Sequence, residues 1–315
     1  MLLNRRLLEP QSRILVAVSG GQDSLCLIKL LLDLQYKWGW KLAIAHCDHR
    51  WTEDVGIADH VGEIARGWAI PFYLKVAVEV TETEAAARQW RYQALIEIAT
   101  EKGFDKVVTG HTQSDRAETL LYNLIRGAGA DGLQALTWRR ALTPNIELVR
   151  PLLEVSRAQT AQFCQDFQLP IWEDVYNQDL KYARSRIRQE LLPYLQTHFN
   201  PQAQKTLAQT AELLTAEVEY LENAAQALWE QAIASNSQGE SLAIDRFILR
   251  QAPLALQRRV MRQFIRRFLP SAPTFEQIEQ LTALITAPNR SRTSSFSGGA
   301  IAEVDGNWIK FSRFR

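Results

Sequence analysis

The chain is short of cysteine and of net charge, and it has no long apolar run. Its 315 residues include three cysteines, Cys26, Cys47 and Cys164, with no C-x-x-C pair among them. Thiols so scattered exclude a disulfide framework and suit a reduced setting. The formal net charge is +1, so no global field draws the chain to nucleic acid or membrane, and any such binding must rest on local basic clusters. No stretch approaches the ~18 uninterrupted apolar residues of a spanning helix. Residues 1–10 lack the apolar core and small-residue cleavage site of a signal peptide. Internal repeats and extended low-complexity tracts are missing as well. A cytoplasmic protein of about two domains is expected, and an apolar fraction of 46% is ample for its cores.

What is present begins at residues 14–24, Ile-Leu-Val-Ala-Val-Ser-Gly-Gly-Gln-Asp-Ser. The apolar run at 14–18 predicts a buried strand of the parallel-sheet type, and 25–34 begins a helix. Between them, Gly20 and Gly21 let the backbone turn tightly and approach a ligand. The helix behind aims free N–H groups and its positive dipole end at that point. Ser19 and Ser24 add hydroxyl donors. Ser19, Gly20, Gly21, Gln22, Asp23 and Ser24 therefore form a candidate phosphate cradle, with Asp23 as the carboxylate that a Mg²⁺ on phosphates would want. This turn has neither the lysine of a Walker A loop nor the spacing of a dinucleotide fingerprint.

Further strands are expected at 41–46, 71–78 and 106–110, with helices at 55–68, 84–102 and about 114–126. Such alternation predicts an α/β fold with a doubly wound, mainly parallel sheet, whose ligands sit beyond the carboxyl ends of the strands. Past Arg150-Pro151-Leu152-Leu153 the pattern is mainly helical. Ser156 caps a helix ending near Gln168, helical periods run to residue 232, a turn falls at 235–239, and helices follow Pro253 and Pro273. Asp305-Gly306 between alternating apolar residues signals a hairpin. The expected division is an α/β domain over 1–200 and a mainly helical domain over 201–315.

A second block, Thr109-Gly110-His111-Thr112-Gln113-Ser114-Asp115-Arg116-Ala117-Glu118-Thr119, runs from a strand end into a helix. Asp115 and Glu118 share one helical face. An isolated pair would do no more than complement a helix terminus, but this pair follows a strand that belongs beside the phosphate loop. Ser-Gly-Gly-x-Asp-Ser resembles the PP-loop of the ATP pyrophosphatase superfamily. Together with G-H-x-x-x-D-x-A-E-T and the segment 124–129, it is similar to the tRNA(Ile)-lysidine synthetases within that superfamily. Counterparts continue in His46-Cys47-Asp48-His49-Arg50, in 87–92, in Arg150-Pro151-Leu152-Leu153, in Trp172-Glu173-Asp174 with Asn177, and in Arg184-Ser185-Arg186-Ile187-Arg188. The likeness covers about 13–195. It departs at Ser114, where many members carry an acid, at Arg116, where glutamine is frequent, and at Ser185, which replaces the usual asparagine.

The resemblance implies a ligase. ATP, with Mg²⁺ at Asp23, adenylates the C2 oxygen of the wobble cytidine in an isoleucine tRNA with a CAU anticodon. Free L-lysine then displaces AMP to give lysidine, and pyrophosphate is the other product. Asp23, His111, Asp115 and Glu118 would be catalytic. Candidates for tRNA or lysine contact are Asp48, His49, Arg50, Arg88, Arg91, Arg126, Arg184, Arg186 and Arg188, with Lys181 beside the last three. A homodimer stays open. So do two other readings, a sulfur-transferring PP-loop enzyme and a non-catalytic tRNA- or nucleotide-binding protein. His46, Cys47 and Asp48 alternate sides of a strand, which favours a nucleotide or tRNA contact in this segment over a zinc site. Arg258, Arg262 and Arg266 make an i, i+4, i+8 stripe, either a solvated face or a row of phosphate contacts.

Overall fold

The computed structural model describes residues 5–51, 55–80, 83–172, 180, 182–235, 242–269, 272–296 and 299–313. Glu173, Asp174, Asn177 and Lys181 lie outside the described residues, as does the turn at 235–239 past Ser235. The chain divides into two compact units, 1–215 and 216–315.

In the first unit the order is β1 (Arg13–Ala17), α1 (Gln22–Trp38), β2 (Lys41–Asp48), α2 (Ile57–Gly67), β3 (Phe72–Val76), α3 (Glu84–Lys102), β4 (Lys106–Thr109) and α4 (Gln113–Ile125). Then come α5 (Ala130–Leu133), β5 (Arg139–Thr143), β6 (Ile146–Val149), α6 (Arg157–Asp166), α7 (Ala183–Arg186), a π-helical turn (Ile187–Leu191) and α8 (Leu192–His198). Helix α9 (Ala203–Ala232) crosses from the first unit into the second.

The strands form one sheet in the order β3-β2-β1-β4-β6-β5, parallel except for the β5–β6 pair. Alternate side chains feed two cores. Ile14, Val16, Ile44 and Val108 pack on one face, and Leu15, Ala43, Val107 and Leu148 on the other. A sheet covered on both faces explains why these strands read as continuous apolar runs. The chain moves outward from β1 through β2 to β3, then returns to lay β4 on the other side of β1. This reversal opens a crevice at the carboxyl ends of β1 and β4. Both sequence blocks singled out above leave from those two ends.

The second unit holds the rest of α9, then β7 (Ile233–Ser235), β8 (Leu242–Asp245), α10 (Arg246–Arg250), α11 (Leu254–Ile265), α12 (Phe275–Ala283), β9 (Ala300–Asp305) and β10 (Trp308–Arg313). Its strands make an antiparallel sheet, β7-β8-β10-β9. Phe264, Met261, Trp229, Val304 and Ile309 fill its core. Of its residues in helices and strands, most are helical. Of the sheet, the sequence reading anticipated the β9–β10 hairpin, which turns at Gly306 with φ +60°. Helix α11 stops at Ile265, so Arg266 sits at its C-cap rather than on the helix proper. Among the described residues, no helix is long and apolar enough to cross a membrane.

Candidate active site

The phosphate loop is built as its glycines require. Gly20 has φ +86°, and its carbonyl accepts a hydrogen bond from the Trp172 N–H at 3.0 Å. A Cβ at Gly20 would stand 3.3 Å from both Ile57 and Trp172. Gly21 is the N-cap of α1, whose first N–H groups have no partner within the helix. The hydroxyls behave differently from expectation. Ser24 is buried, accepts from the Ser19 N–H at 3.2 Å, and donates to the Gly21 carbonyl at 2.9 Å. It fastens the loop instead of pointing a donor outward. Gln22 likewise turns its amide to α6, donating to the Arg157 carbonyl at 2.9 Å and Thr160 Oγ1 at 3.0 Å. Backbone N–H groups and the exposed Ser19 remain the candidate anion donors.

Asp23 is held at the front of the loop. Thr160 Oγ1 donates to its Oδ1, and Arg157 Nε lies 3.6 Å from its Oδ2. Burial pushes its carboxyl up, against the pull of Arg157 and Thr160. Neither Arg157 nor Thr160 had a sequence signal as a site residue. Both come from α6, whose start Ser156 caps.

The second block enters at Gly110. A Cβ there would fall 2.8 Å from the Asp23 carbonyl oxygen, so glycine is what lets the end of β4 touch the start of α1. His111 Nδ1 lies 2.8 Å from Thr109 Oγ1, and burial pushes the imidazole down to about 3. It is therefore neutral at pH 7. Asp115 closes the N-terminus of α4, its Oδ2 accepting from the N–H and hydroxyl of Thr112, both at 2.7 Å. Helix capping is thus part of its role. Its Oδ1 faces Arg188 Nη2 at 3.3 Å. Glu118 is buried and receives both arms of the same guanidinium, Nε at 2.7 Å and Nη2 at 2.9 Å. Burial raises the Glu118 carboxyl despite Arg188. For Asp115, burial acts upward but is outweighed by the protonated form of His111, by Thr112 and by Arg188, and its carboxyl lies below the usual range. Among the described residues these two carboxylates share one guanidinium, and the corner lies close enough for Asp115 and Arg188 to interact electrostatically with Asp23.

Ser114, the departure noted above, is buried and receives hydrogen bonds from Gln204 Nε2 at 2.6 Å and the Arg157 N–H at 3.4 Å. Arg116 is also buried. It pairs with Glu212, whose carboxylate additionally accepts from Trp138 Nε1 at 2.8 Å.

Of the remaining candidates, Arg88 and Arg91 lie near enough to act electrostatically on His111. Asp48 accepts from the Arg50 N–H at 2.7 Å, and Arg50 reaches the Val78 carbonyl at 3.1 Å. His49 is buried, stacked on Trp51 with centroids 4.8 Å apart and edge-on to Trp90 at 4.8 Å. Arg91 Nε donates to its Nε2 at 3.4 Å. In this position it braces Arg91 and the aromatic pair. Arg88 and Arg140 flank the Tyr92 ring at 5.8 and 4.7 Å. Arg126 donates to the Tyr122 hydroxyl at 2.7 Å, and Arg184 lies 5.6 Å over the same ring. Arg186 lines a neighbouring cavity. Among the described residues no group of three or more His, Cys, Asp or Glu could hold a metal ion. Cys26 and Cys164 are both buried, and burial pushes their thiols up to about 12 and 11.

A strand–glycine–helix anion loop at the reversal point of a parallel sheet defines the PP-loop class, and a PP-loop domain model matches residues 2–195. A TilS substrate binding domain model matches 245–302. The solved U34-tRNA thiolase NcsA from Methanococcus maripaludis, with its [4Fe-4S] cluster, shares the fold. Its TM-score is 0.55 at 17% identity, over 67% of this chain and 74% of that one. The tRNA(Ile)-lysidine synthase of Nostoc sp. is 64% identical over 97% of this chain and 93% of its own length. That of Synechocystis sp. is 54% identical over 98% and 94%. The chain belongs to the tRNA(Ile)-lysidine synthase family.

Proposed function

We propose that the chain forms lysidine in tRNA(Ile) in the cytoplasm, using ATP and free lysine at the wobble cytidine of a CAU anticodon. The observation that carries this is the Asp115–Glu118–Arg188 cluster beside the phosphate loop, in a chain that matches lysidine synthases along nearly its whole length. In the first step the C2 oxygen of cytidine attacks the α-phosphorus of ATP. The α–β bond breaks, and pyrophosphate leaves against the N–H groups of the loop and of α1. Asp23 suits Mg²⁺, which binds through one or two carboxylates plus substrate phosphates, and the ion would neutralise charge on the departing pyrophosphate.

In the second step the lysine amine bonds to C2, the bond from C2 to the AMP-bearing oxygen breaks, and a proton leaves the amine. A bound ammonium is unreactive because carboxylates hold its pKa high. The two acids divide this work. Asp115, with its depressed pKa, stays ionised and holds the ammonium. Glu118, with its raised pKa, is the better proton acceptor. Arg188 orients both. Neutral His111 adds a hydrogen-bonding edge without adding charge. Sulfur transfer is not favoured, because Cys26 and Cys164 are buried, Cys47 is half-buried, and raised pKa values keep all three protonated.

The test is incubation with ATP, labelled lysine and unmodified tRNA(Ile). Label should enter the RNA with equal release of AMP and pyrophosphate. Asp23→Ala should stop pyrophosphate release, whereas Glu118→Gln should still release it and lose at least a hundredfold in lysine transfer. RNA that stays unlabelled with the wild-type protein would remove this function.

A further inference from the structure

The first unit carries a second cavity, of about 680 Å³, between the C-terminal half of α4 and the run from α7 through the π-helical turn to α8. Its lining includes Tyr122, Ile125, Arg126, Arg186, Glu190 and Tyr194. The same two walls hold the acid pair. Tyr122 lies one turn, about 6 Å, beyond Glu118 along α4, and the π-helical turn that closes the cavity also carries Arg188. Such turns are rare and recur at functional sites.

Two features define what fits. The surface is apolar and aromatic yet open, with Ile125 67% exposed and Tyr194 54% exposed. Arginines meet it from the rim. Arg126 is hydrogen-bonded to the Tyr122 hydroxyl, Arg184 lies over that ring, and Arg186 is exposed. Aromatic faces with a cationic border complement an unstacked base on a phosphate backbone, the usual form in which single-stranded RNA loops are read. An apolar helix or a second copy of the chain would use the floor but gain nothing from the arginines.

We propose that this cavity seats an unpaired nucleobase of the RNA substrate, one that neighbours the reacting cytidine. Tyr194 stacks on the base, Arg126 and Arg186 face its flanking phosphates, and Glu190 accepts from an exocyclic amine. The inference rests on the lysidine-forming reading and extends it to a second, non-reacting nucleotide. Its occupant would fix the register in which the cytidine enters the crevice.

The experiment is a double-perturbation cycle. Anticodon-loop nucleotides flanking the reacting cytidine are replaced one at a time by an abasic residue, and KM and kcat for lysine transfer are measured alongside direct RNA binding by anisotropy. With wild-type protein, one abasic position should raise KM and Kd about tenfold, the size expected of one stacked base, with kcat little changed. Tyr194→Ala should weaken intact RNA by a similar factor, and the abasic change should then cost nothing more. Tyr194→Phe, which keeps the ring, should match wild type. The Tyr194 ring also leans on His198 and Phe199 at 4.6 and 5.9 Å, so urea midpoints are compared, and Arg186→Gln should weaken binding of every RNA equally.

Equal abasic losses in wild type and Tyr194→Ala would overturn the proposal. So would a Tyr194→Ala variant that changes only from dimer to monomer in sedimentation, which would make the cavity a subunit interface. Failure of the lysidine reading looks different, since intact RNA would then take no lysine while the anisotropy cycle still reports on the cavity.

Discussion

Single residues decide whether the two sequence blocks can meet. Gly110 needs no unusual backbone angle; it is required because the Asp23 carbonyl stands where a side chain would begin. Gly110→Ala must push the start of α1 away from β4. Pyrophosphate release should fall at least a hundredfold, while the urea midpoint shifts by the ~1–3 kcal/mol of an overpacked site. Near-normal release from a well-folded Gly110→Ala protein would show that the contact is slack. Arg116 makes a comparable point about charge. It is buried with Glu212 as its ion-pair partner, so Glu212→Gln should cost about 2–3 kcal/mol by denaturant unfolding. The double change Arg116→Gln with Glu212→Gln should recover part of that loss, because no buried charge is left short of a partner. His49 supplies a pH response. Burial, with Arg91 adding to it, pushes the imidazole down to about 4 from 6.5. As pH falls the unfolded chain binds this proton first, so the stabilisation is complete above about 6.5 and is lost down to about 4. Urea midpoints at pH 7 and pH 5 should therefore differ less in His49→Asn than in wild type.

At the scale of elements, α11 changes the meaning of the arginine stripe. Arg258 donates to Glu279 at 2.7 and 2.8 Å, and Arg259 and Arg262 both reach Glu222. Of the phosphate-contact and helix-face readings, these pairings favour the second. Arg258→Gln with Arg262→Gln should lower the unfolding temperature of the second unit with the tRNA salt dependence unchanged. A reduced salt slope instead would restore the phosphate reading. The same scale shows what the sequence reveals and hides. β1, α1, β4 and α4 are legible because a two-faced buried strand must be a continuous apolar run and Gly20-Gly21 interrupts it once. β5 and β6 are not, since Arg139 and Arg140 open the hairpin with charge and β5 is an edge strand with one neighbour. β7 hides because Ile233 continues the helical period of α9. In the site, Asp23, Asp115, Glu118 and Arg188 were legible from spacing and resemblance. Thr160, Arg157 and Gln204 were not, because each acts through a contact made across the fold with no local pattern to announce it.

For the whole molecule, a net charge of +1 means tRNA affinity depends on a few local cations rather than on a general field. Each true phosphate contact should then appear separately. Arg88→Gln or Arg186→Gln should each lower the slope of log K against log salt by roughly one. An unchanged slope in both would remove these two arginines from the RNA surface.

The reversal of the sheet at β1 also sets an order of events during synthesis. Ile14 pairs with Leu42 on one side and with Lys106 on the other, so half of the crevice is nearly a hundred residues later in the chain than its partner strand. A nascent chain can lay down β1, β2 and β3 from nearby contacts, whereas the partners that Gly20, Gln22 and Asp23 find in Trp172, Arg157 and Thr160 come later. It has no second wall until β4 emerges, and no guanidinium between its two acids until Arg188 follows. Pairing over such separations is slow, and under the proposed mechanism lysine transfer waits until that last arginine is in place. A stalled or truncated product ending before residue 188 should therefore engage nucleotide without transferring lysine, which couples competence for the reaction to near-completion of the first unit.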